Sequence, residues 1–466
     1  DGATSRVQVA QVLQDSSMVW PRQVKSPGTP LRRSLRSTLG FGGRLAGHWS
    51  ARGRLWQDGA MSNPIIDLRS DTVTRPTARM REVMASAPVG DDVFRDDPSI
   101  LELERRAADL LGKEAALYVP SGTMANQLAV RSHTRSGDEL IAHAGCHILN
   151  YESGGAASLA GVTIRPVTST DGTLPLDQVR GLIHQTDDPH YAPTTLICME
   201  NTHNGAGGRI VDEANWKAVT ALAKERGIAT HLDGARLMNA AVASGVSASA
   251  LAAPFDTVSL CLSKGLGAPV GSLLAGPRET VALAYRFRKM YGGGMRQAGI
   301  LAAAGVHALE HHVDRLAEDH RRARTLAESF DAIDGLRVNL ESVQTNLVYF
   351  DIDADHPLAT PDPGGAPALV RRLAESGVWI TGGAHRMRAV THLDVDDAGV
   401  AALFHRTTSS AVAADRGSSL SSSERSIAAC VRGTIPSKTC SPLTMTVMAS
   451  SRSMSSSCKR MRIEER

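Results

Sequence analysis

Long apolar runs are missing from this sequence. None reaches the roughly 18 residues that a membrane-spanning helix needs, which excludes a helical membrane anchor. Aromatic residues are scarce at 4 %, while alanine and the aliphatics abound, a balance that suits parallel strands interleaved with helices. Cysteines number only six and show no Cys-x-x-Cys spacing. Cys146, Cys198 and Cys261 lie in apolar or strand-like stretches, so reduced structural thiols in a cytoplasmic protein are expected, with neither disulfides nor a metal site. Net charge is also small, at +3, and it belongs to the ends. Residues 1–60 carry nine Lys/Arg against three acids and residues 411–466 nine against four, which leaves 33 basic and 41 acidic residues between them. An acidic centre gives no reason to expect a nucleic-acid partner.

A chain of 466 residues can bury a large core and hold one large domain beside a smaller one. Residues 1–60, rich in Arg, Ser and Gly, show no sustained period. They read as a disordered or non-native extension before Met61, with an organelle transit peptide as the smaller alternative. Residues 411–466 form a Ser/Arg-rich tract expected to be disordered. Between them a large domain over 61–320 and a small C-terminal domain over 321–410 are expected. Short apolar strands at 115–119, 139–142, 162–167, 195–200, 228–233, 257–262 and 272–275 alternate with helices, one opening at Asp97-Pro98 with Ile100, Leu103, Ala107 and Leu110 as its buried stripe, others at 213–226 and 235–244. That alternation predicts an α/β fold with a mostly parallel sheet covered on both faces. Long helical stretches at 278–290 and 297–330 follow, then the shorter units 338–351, 366–376, 378–381 and 387–391.

The chemistry sits at strand ends. Lys264 closes the run Thr257-Val-Ser-Leu-Cys-Leu-Ser-Lys and precedes Gly265-Leu-Gly-Ala-Pro-Val-Gly. Asp233 closes another in Thr230-His-Leu-Asp-Gly-Ala-Arg236. An amine and a carboxylate so placed suit a pyridoxal 5'-phosphate Schiff base with an acid against the pyridine nitrogen. The turn Pro120-Ser-Gly122-Thr123 runs from a strand into a helix, and a helix N-terminus with free N–H groups is a phosphate site. Arg236 can donate to the ring phenolate or to a substrate carboxylate. His147 can stack on the open face of the ring. His203, in Glu200-Asn-Thr-His-Asn-Gly, reads as an exposed imidazole of near-neutral pKa suited to moving a hydroxyl proton. Glu200 and Glu152 are supporting acids.

The ordered motifs go further. Asp67-Leu-Arg-Ser-Asp-Thr-Val-Thr-Arg-Pro76, Pro88-Val-Gly-Asp-Asp-Val93, Gly112-Lys-Glu-Ala-Ala116, Glu200-Asn-Thr-His-Asn-Gly205, His231-Leu-Asp-Gly-Ala-Arg236, Cys261-Leu-Ser-Lys-Gly-Leu-Gly267, Lys289-Met-Tyr-Gly-Gly-Gly-Met-Arg-Gln297 and Val390-Thr-His-Leu-Asp-Val395 together resemble the low-specificity L-threonine aldolases over about residues 64–405. The resemblance implies a pyridoxal-phosphate enzyme of the aspartate-aminotransferase fold (fold type I). It would cleave L-threonine, L-allo-threonine and other β-hydroxy-α-amino acids to glycine and an aldehyde, working as a homotetramer whose sites draw on neighbouring subunits. Lys264 would then hold the cofactor, Asp233 its pyridine nitrogen and His147 its ring face. Ser70, Arg236 and Arg388 would hold the substrate carboxylate, Arg296 would help bind phosphate, and His203 would lie by the substrate hydroxyl, with His203 or His147 as base. One departure is Phe94-Arg95 where the family has Tyr-Gly, a change that would bear on substrate preference. Transamination or β-elimination on the same fold is the enzymatic rival, and a non-catalytic cofactor-binding or regulatory protein is the other.

Overall fold

The computed structural model describes residues 65–184, 188–353, 366–383 and 385–403. Both terminal extensions, residues 1–60 and 411–466, lie outside them. The first eight strands are β1 (Ile66–Asp67), β2 (Ala115–Val119), β3 (Glu139–His143), β4 (Thr163–Val167), β5 (Thr194–Glu200), β6 (Ala229–Asp233), β7 (Thr257–Cys261) and β8 (Ser272–Gly276). β2 to β8 make one seven-stranded sheet in the order β2-β8-β7-β6-β5-β3-β4. β8 alone runs against its neighbours β2 and β7. The expected mostly parallel sheet is therefore present, and each of its strands lies within a residue or two of its sequence-read position. β3, β7 and β8 are buried along their whole length, as strands covered on both faces must be.

The helix Pro98–Leu111 shows why these segments fold as they do. Asp97 caps it by accepting from the Ser99 and Ile100 N–H groups, and Pro98 fills the first position, where no donor is needed. Ile100, Leu103, Ala107 and Leu111 form its buried stripe, and Gly112 stops it at φ 62°. Leu103 is wholly buried in the main core. Its truncation to alanine should cost about 2–5 kcal/mol, measurable as a lowered denaturant midpoint.

Strand polarity then positions the site. Val119, Glu200, Asp233 and Cys261 end their strands at one edge of the sheet, and the reversed β8 begins there with Ser272. Ligands of open α/β sheets gather at the carboxyl ends of the strands.

A second, four-stranded sheet has the order β12-β13-β10-β9, from β9 (Leu336–Val338), β10 (Leu347–Ile352), β12 (Thr381–Gly382) and β13 (Arg386–Val390). β11 (Val378–Trp379) pairs instead with β1, Ile66 lying beside Val378. The stretch 378–381, read as one short unit, thus divides between two sheets. The second core gathers Phe330, Phe350, Leu369 and Met387 together with Ile66 and Leu68. The first strand of the presumed large domain therefore packs with the smaller body, through a pairing no local pattern announces. The stretch 297–330 also divides, into helices Gly299–His311 and Leu316–Asp331. No Gly or Pro marks the break; His312 turns there to donate through Nδ1 to the Leu266 carbonyl at 2.7 Å. Among the described residues no helix is long and apolar enough to cross a membrane, and Cys146, Cys198 and Cys261 are free and buried.

Candidate active site

A cavity of about 580 Å³ opens between the two sheets. The large sheet's side supplies His147, Asn204, Arg236 and Lys264; the smaller body supplies Tyr349, Arg386 and Arg388; Ser70 and Thr72 come from the segment after β1. Five of the residues singled out by sequence (Ser70, His147, Arg236, Lys264 and Arg388) therefore line one space, although Ser70 and Arg388 stand more than 300 residues apart in the chain.

Lys264 follows β7 by three residues, at the start of a turn closed by the Gly267 N–H donating to the Lys264 carbonyl at 2.8 Å. Asp233, the last residue of β6, is buried. It accepts from Asn126 Nδ2 at 2.8 Å and from the Ala235 N–H at 3.1 Å. The same Asn126 amide donates to Glu152 at 2.8 Å, and Glu152 accepts from His147 Nδ1 at 2.8 Å. Polar atoms of His147, Glu152 and Asp233 all lie within 4.8 Å of one another. The Glu152 hydrogen bond, against burial and with Asp233 assisting, raises the His147 pKa above its usual value. Glu200 anchors the same corner by accepting from the His147 and Asn204 N–H groups, each at 2.7 Å. Burial, reinforced by Asp233, pushes its carboxyl up to about 7.

Behind this lies a chain of partners that the sequence reading missed. Because the Asn126 amide nitrogen serves two carboxylates, its oxygen must accept, from His231 Nε2 at 3.1 Å and from Ser259 Oγ at 2.9 Å. His231 Nδ1 then faces Thr257 Oγ1 at 3.0 Å. Burial drives His231 down to about 4, so it is neutral, with its proton on Nε2. A histidine in the middle of an apolar strand was the available signal, since a buried polar group needs partners.

Other sequence expectations need correction. His203 is 0 % exposed and does not line the cavity. Its Nδ1 accepts from the Ala206 N–H at 3.1 Å, its Nε2 has no partner, and its ring stands edge-on to His143 at 4.4 Å. Burial lowers it to about 4, so the expected exposed, near-neutral imidazole is absent. Its polar turn is packed under Gly172, where a Cβ would meet the His203 ring at 2.6 Å. Arg236 lines the cavity, yet its Nε and Nη2 are given to Asp71, each at 2.7 Å. Burial works against the charge of Asp71, but Arg236 and then Lys264 outweigh it and hold the carboxyl well below the usual range. Arg296 lies outside this cavity and pairs with Asp91 at 2.9 Å. Phe94 is 75 % exposed, and Arg95, left-handed at φ 60°, pairs with buried Glu104 away from the cavity. Neither alters this chain's own pocket wall.

The buried ionisable groups fix a pH dependence. His203 and His231 have folded values near 4 against 6.5. Depressed bases contribute stability that is complete above 6.5 and drains as pH falls towards 4, because only the unfolded chain takes the protons. Glu200, raised to about 7 from 4.5, acts oppositely between those two values. With His320 a third base lowered to about 4, the depressed bases outnumber the raised Glu200, so from pH 6.5 to 4.5 the unfolding free energy should fall by on the order of 1 kcal/mol per pH unit, read from denaturant midpoints. A flat or rising profile would refute the assignment.

Pyridoxal phosphate fits what is here. The helix Gly122–His133 opens at the sheet edge with Ser121 as its cap. A Cβ at Gly122 would lie 2.5 Å from Cys261 Sγ and 3.6 Å from Ser272 Oγ, and that buried hydroxyl has no partner. Bare backbone, free helix N–H groups and an orphaned hydroxyl form a cradle for a phosphate. An amine, a buried carboxylate and an imidazole stand at the same edge of the sheet.

Such a site on such a sheet defines a pyridoxal-phosphate-dependent enzyme of the aspartate-aminotransferase fold. The family described as beta-eliminating lyase matches residues 67–353. The low specificity L-threonine aldolase of Escherichia coli K12 is 44 % identical over 332 residues, covering 71 % of this chain and 95 % of that one. The probable low-specificity L-threonine aldolase 2 of Arabidopsis thaliana is 44 % identical over 339 residues, covering 72 % and 94 %. A threonine aldolase structure from Leishmania major shares the fold at TM-score 0.63 and 19 % identity, covering 74 % of this chain and 99 % of that one. The chain belongs to the beta-eliminating lyase family and, within it, to the low-specificity L-threonine aldolases.

Proposed function

We propose that this enzyme is a carbon–carbon lyase that cleaves L-threonine, L-allo-threonine and related β-hydroxy-α-amino acids to glycine and an aldehyde. The observation that carries the reading is Lys264 sharing one cavity with Arg388 and His147 at the carboxyl edge of the sheet. Lys264, Asp233, His147, Gly122, Thr123 and Ser272 would hold the cofactor. When bound, pyridoxal phosphate supplies an electron sink for the pair left on Cα as the Cα–Cβ bond breaks.

The chain's own groups do the rest. Arg388 donates to Asn204 Oδ1 at 3.1 Å and to the Arg69 carbonyl at 3.0 Å, and its buried Nε has no partner. That spare edge suits a substrate carboxylate. Ser70 Oγ, already accepting from the Thr72 N–H at 3.2 Å, stands beside it on the cavity wall. Arg236 supports the site by fixing Asp71 rather than by taking the carboxylate. His147, with Nδ1 donating to Glu152, is the imidazole free to take the β-hydroxyl proton directly or through water. Buried His203 acts on the fold of its turn.

His147→Ala should therefore lower kcat by about 100-fold or more, and His203→Gln by less than about tenfold, in single-turnover and steady-state assays. The reverse order would give the proton to His203. The function is tested by incubating the holoenzyme with each threonine diastereomer. Acetaldehyde and glycine are expected; a keto-acid product would point to transamination or elimination, and no product to a non-catalytic role. Assembly as a homotetramer in the cytoplasm completes the reading, with Arg296 turned towards a neighbour's phosphate site. Its support is that Arg296 and Phe94 are exposed and outside this chain's own cavity. Light scattering and cell fractionation test it.

A further inference from the structure

Beyond Arg388 and Arg236, the cavity holds a third guanidinium, one that cleavage of threonine does not use. Arg386 and Arg388 are two apart on β13, so their side chains share one face and stand roughly 6.6 Å apart along the strand. The register puts Tyr349 opposite Arg388 and Asp351 opposite Arg386. A directly opposed Asp–Arg pair is a favoured cross-strand arrangement, yet no ion pair between Asp351 and Arg386 is among those the structure forms. The Arg386 guanidinium instead crosses to the diagonal neighbour and lies over the Tyr349 ring, 4.9 Å from its centroid. This lean carries it away from Asp351, towards Arg388 and the cavity that both arginines line. Tyr349 holds the planar cation by its ring face, which leaves the N–H edge of the guanidinium for an acceptor.

An α-amino acid brings one carboxylate, and the spare edge of Arg388 suffices for it. The methyl group of threonine offers nothing to Arg386. We infer that Arg386 is a specificity-determining residue that makes the cavity favour β-hydroxy-α-amino acids with a second, distal carboxylate. 3-Hydroxyaspartate is the smallest such substrate. It would be cleaved at Cα–Cβ: the β-hydroxyl loses its proton, Cβ leaves as the aldehyde of glyoxylate, and Cα gains a proton to give glycine. Atoms and electrons balance without any oxidant. The inference rests on the proposed aldol cleavage and adds to it the charge of the preferred side chain.

The test compares kcat/KM for 3-hydroxyaspartate with that for L-threonine in the wild-type holoenzyme and in Arg386→Gln and Arg386→Lys. Preference for 3-hydroxyaspartate in the wild type is expected, with the ratio falling tenfold or more in the glutamine variant and partly restored by lysine, which keeps the charge but not the fork. A ratio unmoved by Arg386→Gln overturns the inference while leaving threonine cleavage intact, as does a wild type that prefers threonine. Parallel loss of both activities in Arg386→Gln also overturns it, since that marks a structural role. Failure of the wild type to cleave either substrate defeats the aldolase reading, and this inference with it.

Discussion

Lys264→Ala is expected to abolish turnover, with kcat falling by roughly 10³-fold or more. Lys264 is the only lysine lining the cavity, so no other described amine there can take over. The loss should be chemical and not conformational. The turn around Lys264 is set by its backbone carbonyl accepting from Gly267 at 2.8 Å, and alanine keeps that bond. Wild-type enzyme reduced with borohydride should retain its cofactor covalently through denaturation. The variant should release it, and should lose the visible absorbance of the attached form. Normal turnover by Lys264→Ala would remove the site assignment altogether.

Asp233→Asn should have the next largest effect, a loss of roughly 10²–10⁴-fold in kcat. The side chain keeps its size but loses the charge that would keep the cofactor's nitrogen protonated; removing one member of a buried charge pair costs about 3–5 kcal/mol. The hydrogen-bond network sharpens this expectation. Both carboxylate oxygens of Asp233 accept, one from Asn126 Nδ2 and the other from the Ala235 N–H. An amide nitrogen in either place would face a donor. Asn126 cannot flip in compensation, because its oxygen is claimed by His231 and Ser259. The variant should therefore also bind pyridoxal phosphate more weakly, with an altered absorbance maximum, and both can be measured without substrate. Wild-type affinity and spectrum would show that Asp233 does not face the cofactor.

The strands were legible because each is a short apolar run ending in a turn, and Lys264 and Asp233 stood out as charges at the ends of such runs. The cradle at Gly122 could be read for the same reason: strand, small residues and helix are consecutive. What escaped was set by distant pairing. Arg236 reads as a free cation, but its partner Asp71 lies 165 residues earlier. Asn204-flanked His203 reads as a surface histidine because Asn, Thr and Gly favour turns, and nothing local reveals that Gly172 and His143 close over it. Asn126 looked like an ordinary helical polar residue; its role exists only once the loop after β3, β6 and β7 set Glu152, Asp233 and Ser259 around it. Arg388 and Ser70 came from family motifs alone, and no local physical pattern marks either.

The clasp between Asp71 and Arg236 bears on how the cavity breathes. Asp71 follows the strand that completes the smaller body, and Arg236 follows the strand that carries Asp233. Both side chains are buried and doubly bonded at 2.7 Å, and Asn346, just before β10, adds a third hand to Asp71 at 3.2 Å. The two walls are thus pinned along one seam. Tyr349 and Arg386 line the cavity from the smaller body. Loss of either partner of the clasp would thus be felt on both walls of the cavity at once, because each carries residues that face the same space.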